Sequence, residues 1–303
     1  MALIVGRQIL IMVVIIAVGF IVGRIGLMSD KGVNELSGVL LYVINPLLIL
    51  MSFQQDYSAE LMQGFVTMLL YGLLIYVIST ALAILLTFRK GKNWEVDRSA
   101  YIYRNVGFFG IPVINSIYGA EGVFYLSAFI AAFNIWCWSY GVTIMKDSSS
   151  SGFSIRRMLR NMINPSIIMV GVGMVLFVLQ IRLPSVIGDA FNDIGSMNTA
   201  IAMMITGIIL GHSDLRSLLD RHYLFMDVMV QLVMPFIEIL IIRLFPLDDT
   251  LKVILGICAA CPVASTVNMF ALRFGRDYDY ASKLNIITTI SAAATIPLLM
   301  LMF

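Results

Sequence analysis

The chain has 303 residues, 60% of them hydrophobic and 13% charged, with a mean hydropathy of +0.93. Soluble domains carry about 25% charged residues, so these values exclude an ordinary soluble protein and point to an all-α integral membrane protein with the lipid bilayer as its solvent. A net charge of +2, from 20 basic and 18 acidic residues, is too small to imply a nucleic-acid partner.

Crossing ~30 Å of hydrocarbon takes about 20 helical residues. Ten apolar runs meet that length, at 5–27, 33–53, 61–88, 99–118, 121–145, 162–181, 186–211, 223–245, 250–273 and 281–302. The first begins at Ala2 and has no small-residue cleavage site behind it, so it reads as a span and not as a removable signal peptide. With the N-terminus placed outside, fifteen basic residues fall in cytoplasmic connections, four fall outside, and Arg104 lies within the fourth run. That bias predicts a multi-pass protein of the cytoplasmic membrane with both termini on the non-cytoplasmic side.

Serine and glycine replace apolar residues in MKDSSSSGFSIRRM, 145–158, which marks a cytoplasmic linker at 146–160 between a first half, 1–145, and a second, 161–303. Each half holds five spans. Five is odd, so the second half enters the membrane in the opposite sense, a 5+5 inverted repeat of the kind found in secondary transporters. Two echoes agree with it: the polar entry and apolar run of 33–50 recur at 191–210, and GIPVINS at 110–116 matches ACPVAST at 260–266.

The fourth span, RNVGFFGIPVINSIYG at 104–119, carries features that disrupt a helix. Pro112 lacks an N–H and clashes with the preceding turn, while Gly107 and Gly110 make unwinding easier, so a break is expected at Pro112 with the proline opening the next half-helix. The ninth span repeats the pattern at Pro262, followed by Ser265, Thr266 and Asn268. Two half-helix N-termini should then meet near mid-depth and present N–H groups and positive dipole ends, a crossing suited to an anion.

Asn105, two turns before Pro112, and Asn115, just after it, are amides that can donate to a carboxylate without carrying charge. The competing reading of each is an interhelical packing bond. Asn45, before Pro46 in the second span, is placed to close the site from the opposite side. Arg104 is an intramembrane cation and so a candidate for substrate contact, against snorkelling or pairing with Asp227.

Among acidic residues, Asp227 and Glu238 on the eighth span are candidates for proton coupling, since burial raises a carboxyl pKa. For Glu238 the alternative is an interfacial salt bridge with Arg243. Asp189 and Asp193 sit near the outer start of the seventh span. Cys137, Cys258 and Cys261 lie in apolar runs; an odd number argues against disulfides, and the Cys-Ala-Ala-Cys at 258–261 reads as packing and not as a redox or metal site. His212 and His222 share one loop with Asp214, Asp220, Arg216 and Arg221, where a solvated turn is expected and not a metal centre. No nucleophile with a base partner is visible, so neither an enzyme nor a cofactor is expected.

NVGFFGIPVINSIYG, together with INPLL at 44–48, CPVASTVNMFALRFG at 261–275 and the closing TIPLLML, resembles the auxin efflux carrier family. That family includes the plant PIN-FORMED carriers and bacterial relatives labelled malonate or dicarboxylate transporters. The resemblance covers essentially the whole chain. It implies a fold similar to sodium/proton antiporters and bile acid symporters, with helices one, two, six and seven as a dimerising scaffold. Helices three to five and eight to ten would then form a transport domain that moves like an elevator around crossed helices four and nine. The family's substrate asparagine maps onto Asn105. Asn45 stands where the plant carriers have valine and Arg104 where they have proline, and the long plant loop is reduced to the linker. The pocket is therefore expected to be more polar and more cationic than one built for an indole ring.

The function expected is transport of a small organic anion, a carboxylate. An aromatic carboxylate such as indole-3-acetate is the alternative within transport, and an anion sensor that moves nothing is the alternative from another class.

Overall fold

In the computed structural model residues 2–146 and 163–303 are described, so the linker expected at 146–160 lies, from 147 onward, outside the described residues. Every element among them is helical, and their one extended pairing is an isolated antiparallel bridge between Arg104 and Val263. Among the described residues, seven helical runs are long and apolar enough to cross a membrane: Gly6–Arg24, Asp30–Ser52, Ala59–Leu86, Val106–Met145, Ser185–His212, Arg221–Arg243 and Tyr278–Met302. The protein is therefore a multi-pass membrane protein.

The other apolar runs are shorter or interrupted. Pro165–Val178 is a single 14-residue helix whose N-cap Asn164 accepts the Ile167 N–H. The ninth run is divided into Asp249–Ala260 and Ser265–Arg273. Val106–Met145, 40 residues, is bent at Gly119, whose φ of 58° only glycine adopts readily, so it holds the end of the fourth expected span and the fifth.

Proline explains a recurring irregularity. Wide π-turns at Leu40–Ile44, Val106–Gly110 and Met229–Val233 each stand immediately before an α-helix whose second residue is proline, namely Pro46, Pro112 and Pro235. A proline ring clashes with the carbonyl four residues back, and widening the preceding turn moves that carbonyl aside without breaking the helix. This corrects the expectation for the fourth span. Its helix continues through Pro112, and the break lies earlier, at residues 103–105, between Trp94–Ile102 and Val106–Gly110.

The chain divides into two compact units. The first comprises Met1–Met68, Gly107–Ala131 and Ile163–Leu215. Its helices Ala2–Arg24 and Asn198–His212 pack through two glycine pairs four residues apart. A Cβ at Gly207 would strike the Ile16 carbonyl oxygen, one at Gly211 the Phe20 carbonyl at 2.6 Å, and one at Gly23 the Ile208 carbonyl at 2.6 Å. Small residues let backbones approach in lipid, where packing rather than hydrophobic burial drives association. Phe53, Phe65, Phe124 and Phe177 form this unit's aromatic core, with Phe53 and Phe124 centroids 4.8 Å apart.

The second unit comprises Leu69–Val106, the described part of Ala132–Met162, and Arg216–Phe303. Tyr76, Tyr103 and Phe133 are in ring contact here, and the Tyr103 side chain fills the space beside Gly141.

Candidate functional site

The break in the fourth span lies against the break in the ninth, and both belong to the second unit. Residues 103–105 and 261–264 run past each other as two short extended segments. The Asn105 N–H donates to the Pro262 carbonyl at 2.7 Å, and the Ala264 N–H donates to the Tyr103 carbonyl at 2.9 Å. Unwinding frees backbone groups that lipid cannot satisfy. Here part of that demand is met by the other break, so the N–H groups of 105 and 264 are spent on the crossing itself.

The crossing is braced from the last long helix, Tyr278–Leu299. Asn285 Nδ2 donates to the Val263 carbonyl at 2.5 Å, and the Val263 N–H donates to Thr288 Oγ1 at 3.2 Å. Both backbone groups of Val263 are thus held by side chains. On the approach to the break, Gln231 Nε2 donates to the Ala260 carbonyl at 2.6 Å and caps the end of Asp249–Ala260. Asn285, Thr288 and Gln231 were not singled out from the sequence. The available signal was a polar side chain inside an apolar run, which each of them is.

Of the expected site residues, Arg104, Asn105, Pro262 and Ser265 are brought together. Asn105 sits in the break itself and not two turns away from it, and its Nδ2 lies 3.5 Å from Ser265 Oγ. Pro262 is in the extended segment. The following half-helix therefore opens at Ser265, with Ala264 as its N-cap, and not at a proline. Thr266 is the next residue of that helix, and Asn268 lies one turn on, its Oδ1 buried and without a hydrogen-bond partner among the described residues. The N–H groups that open a helix have no acceptor within it, so the segments starting at Val106 and Ser265 direct positive ends from either side of the crossing.

Arg104 is 3% exposed and points into the unit's interior. Its Nη1 donates to the Val230 carbonyl at 2.8 Å, within the π-turn Met229–Val233. It does not pair with Asp227, which accepts from Ser291 Oγ at 2.7 Å. Glu238 is 1% exposed and accepts from Ser79 Oγ at 2.6 Å. The salt bridge expected between Glu238 and Arg243 does not form among the described residues. Five positions along a helix amount to about 140° of rotation, which puts Arg243 on an exposed face.

Asn45, Pro112 and Asn115 belong to the first unit. Asn45 Oδ1 accepts from Asn198 Nδ2 at 2.5 Å, and Asn45 Nδ2 donates to the Gly107 carbonyl at 3.4 Å, again an acceptor in a π-turn. Pro112 is buried and Asn115 half-buried in Ile111–Trp136.

The two histidines have unlike partners. His212 closes Asn198–His212 with Nδ1 2.6 Å from Asp30 Oδ1. His222 begins the helix Arg221–Val228, stacks on Tyr280 at 5.5 Å, and has Nε2 2.8 Å from the Tyr280 hydroxyl. That hydroxyl donates to Asp97 Oδ1 at 2.6 Å. Asp97 precedes the apolar run of the fourth span; burial holds its carboxyl above the usual range, against the opposing Tyr280 hydrogen bond and the nearby His222. Among the described residues, no group of His, Cys, Asp and Glu is arranged to hold a metal ion.

Two comparisons bear on identity. No curated protein matches the chain. The family described as "Membrane transport protein" matches residues 4–154 and 152–300, essentially the full length. With its broken, paired helices and its multi-pass architecture, the chain belongs to that family, the auxin efflux carriers, and is a membrane transporter.

Proposed function

We propose that the protein carries a small organic anion, a carboxylate, across the cytoplasmic membrane by alternating access, with the carboxylate held where spans four and nine cross. The observation that carries this reading is the backbone bridge at Arg104 and Val263, on either side of which helical segments open at Val106 and Ser265. Two positive helix ends favour a negative group, each by about 0.3–1 kcal/mol and by more where water is excluded. Asn105 donates to the carboxylate, and Ser265, Thr266 and Asn268 line the same helix end.

In this reading ten spans form two inverted halves, both termini lie outside, and spans one, two, six and seven form the scaffold of a homodimer. The remaining spans move as an elevator. The compact first unit contains those four spans together with Gly107–Ala131, which belongs to spans four and five.

Counterflow in proteoliposomes tests transport. Vesicles preloaded with unlabelled acetate, malonate, succinate or indole-3-acetate are diluted into trace labelled compound. Transient accumulation of one of them above equilibrium is expected. Binding in detergent with no accumulation of any would instead make the protein a sensor.

A further inference from the structure

The second unit buries two opposite charges that do not touch. Arg104 gives one N–H to the Val230 carbonyl, while Nε and Nη2 have no hydrogen-bond partner among the described residues. Those two nitrogens share one edge of the guanidinium plane, the edge that takes a carboxylate side-on through two parallel hydrogen bonds. Glu238, an acidic group whose charge acts on Arg104, is turned to Ser79 Oγ. No ion pair joins Arg104 and Glu238 among the described residues, although each lies in the other's field. The remaining titratable neighbours are Tyr76, Tyr101, Cys258, Cys261 and Cys137, none of which is charged at neutral pH in a buried setting.

With Arg104 cationic and Glu238 anionic, this interior is neutral overall. A carboxylate docked on the free edge of Arg104 leaves it with one excess negative charge in a medium of low dielectric, which is strongly unfavourable. Protonation of Glu238 restores neutrality, and the neutral acid then donates where it previously only accepted.

We infer that the free side-on edge of Arg104 takes the carboxylate that reaches the crossing and that Glu238 binds a proton from solvent as it does, so anion and proton are bound together. This rests on the carboxylate reading above and adds its coupling. Asp227 has no part in the coupling, because its carboxylate is already engaged by Ser291 on the last long helix.

The test is isothermal titration of the purified protein at pH 7 with acetate, malonate, succinate and indole-3-acetate, each in phosphate and in Tris, whose ionisation heats differ widely. The difference in observed heat gives protons taken up per anion bound. About one proton is expected for the anion that binds. Glu238→Gln should bring uptake close to zero, Asp227→Asn should leave it near one, and Arg104→Gln should weaken binding at least tenfold. Wild-type binding with the same heat in both buffers overturns the coupling and leaves the carboxylate reading standing. No binding of any of the four overturns both. Because the first comparison uses wild-type protein, a variant that fails to fold does not remove the test.

Discussion

Asn285 does more for the crossing than its place in the sequence suggests, and Asn285→Ala measures how much. Its Nδ2 donates to the Val263 carbonyl at 2.5 Å, and Val263 is fully buried. Removing the amide leaves that carbonyl, already displaced from any helix, without its side-chain donor. An unsatisfied buried acceptor costs about 1–3 kcal/mol, and polar bonds measured inside membrane proteins run from about 0.6 to about 1.7 kcal/mol, so about 1–2 kcal/mol is expected. For a large chain this is a fall in Tm of roughly 2–6 °C. Cys137, Cys258 and Cys261 are buried and free, and all lie in the second unit. A thiol-reactive dye in a thermal ramp therefore reports the unfolding of that unit. Thr289→Val on the same helix is the comparison. Its hydroxyl donates to the Asn285 carbonyl one turn back, an acceptor already engaged in the helix, so a change under about 1 °C is expected. Equal shifts for the two variants would refute the argument that the crossing depends on side-chain bracing.

Three further outcomes follow from the same geometry. Gly207→Val puts side-chain atoms into the Ile16 carbonyl, and should cost more than about 3 kcal/mol and abolish a monodisperse peak in size exclusion; unchanged behaviour would mean the helices do not approach so closely. The Asp97 carboxyl titrates above its unfolded value of 3.8 because burial disfavours its charge. Between the unfolded and the folded pKa the native state holds more protons, so this group's contribution is fully present below the unfolded value and is lost as pH rises through the folded one. The Tm of Asp97→Asn relative to wild type should therefore climb as pH rises from about 4, and a flat or falling difference would contradict the assignment. Arg276 joins Glu95 at 3.1 Å and the Met145 carbonyl at 3.0 Å; Arg276→Ala should lower Tm by about 1–4 °C in the same thiol assay, with no shift refuting a structural role.

Much of this was readable from composition. Ten apolar runs and a skewed distribution of basic residues identify a multi-pass membrane protein, and two proline-bearing runs single out where helices are irregular. What the residues did not disclose was how proline is accommodated. Pro112 has a lone-proline signature identical to that of a break, yet a wide turn at Val106–Gly110 absorbs it, and the chain unwinds at 103–105, where no residue is a helix breaker. That break depends on a partner far away in sequence, Arg104 being bridged to Val263, because its hydrogen bonds go to Pro262 and from Ala264. A local signal cannot carry such information. The pairings of Glu238 and Arg104 were misread for a related reason. Arg243, the expected partner of Glu238, is on its own helix and Asp227, the expected partner of Arg104, is on the eighth span, whereas the actual partners are Ser79 and a backbone carbonyl, that of Val230. The Val230 carbonyl is available only because a π-turn frees it.

Asn105 is the side chain through which the crossing is expected to hold the carboxylate. A thermal-shift screen of acetate, malonate, succinate and indole-3-acetate identifies the anion that stabilises wild-type protein most, and titration calorimetry then compares wild type with Asn105→Ala for that anion. A hydrogen bond to a charged group contributes about 1.5–3 kcal/mol, so affinity should fall roughly 10- to 150-fold, with Tm in the absence of anion shifted by less than about 3 °C. Unchanged affinity in a variant of normal stability would contradict the claim that the crossing of the fourth and ninth spans holds the carboxylate.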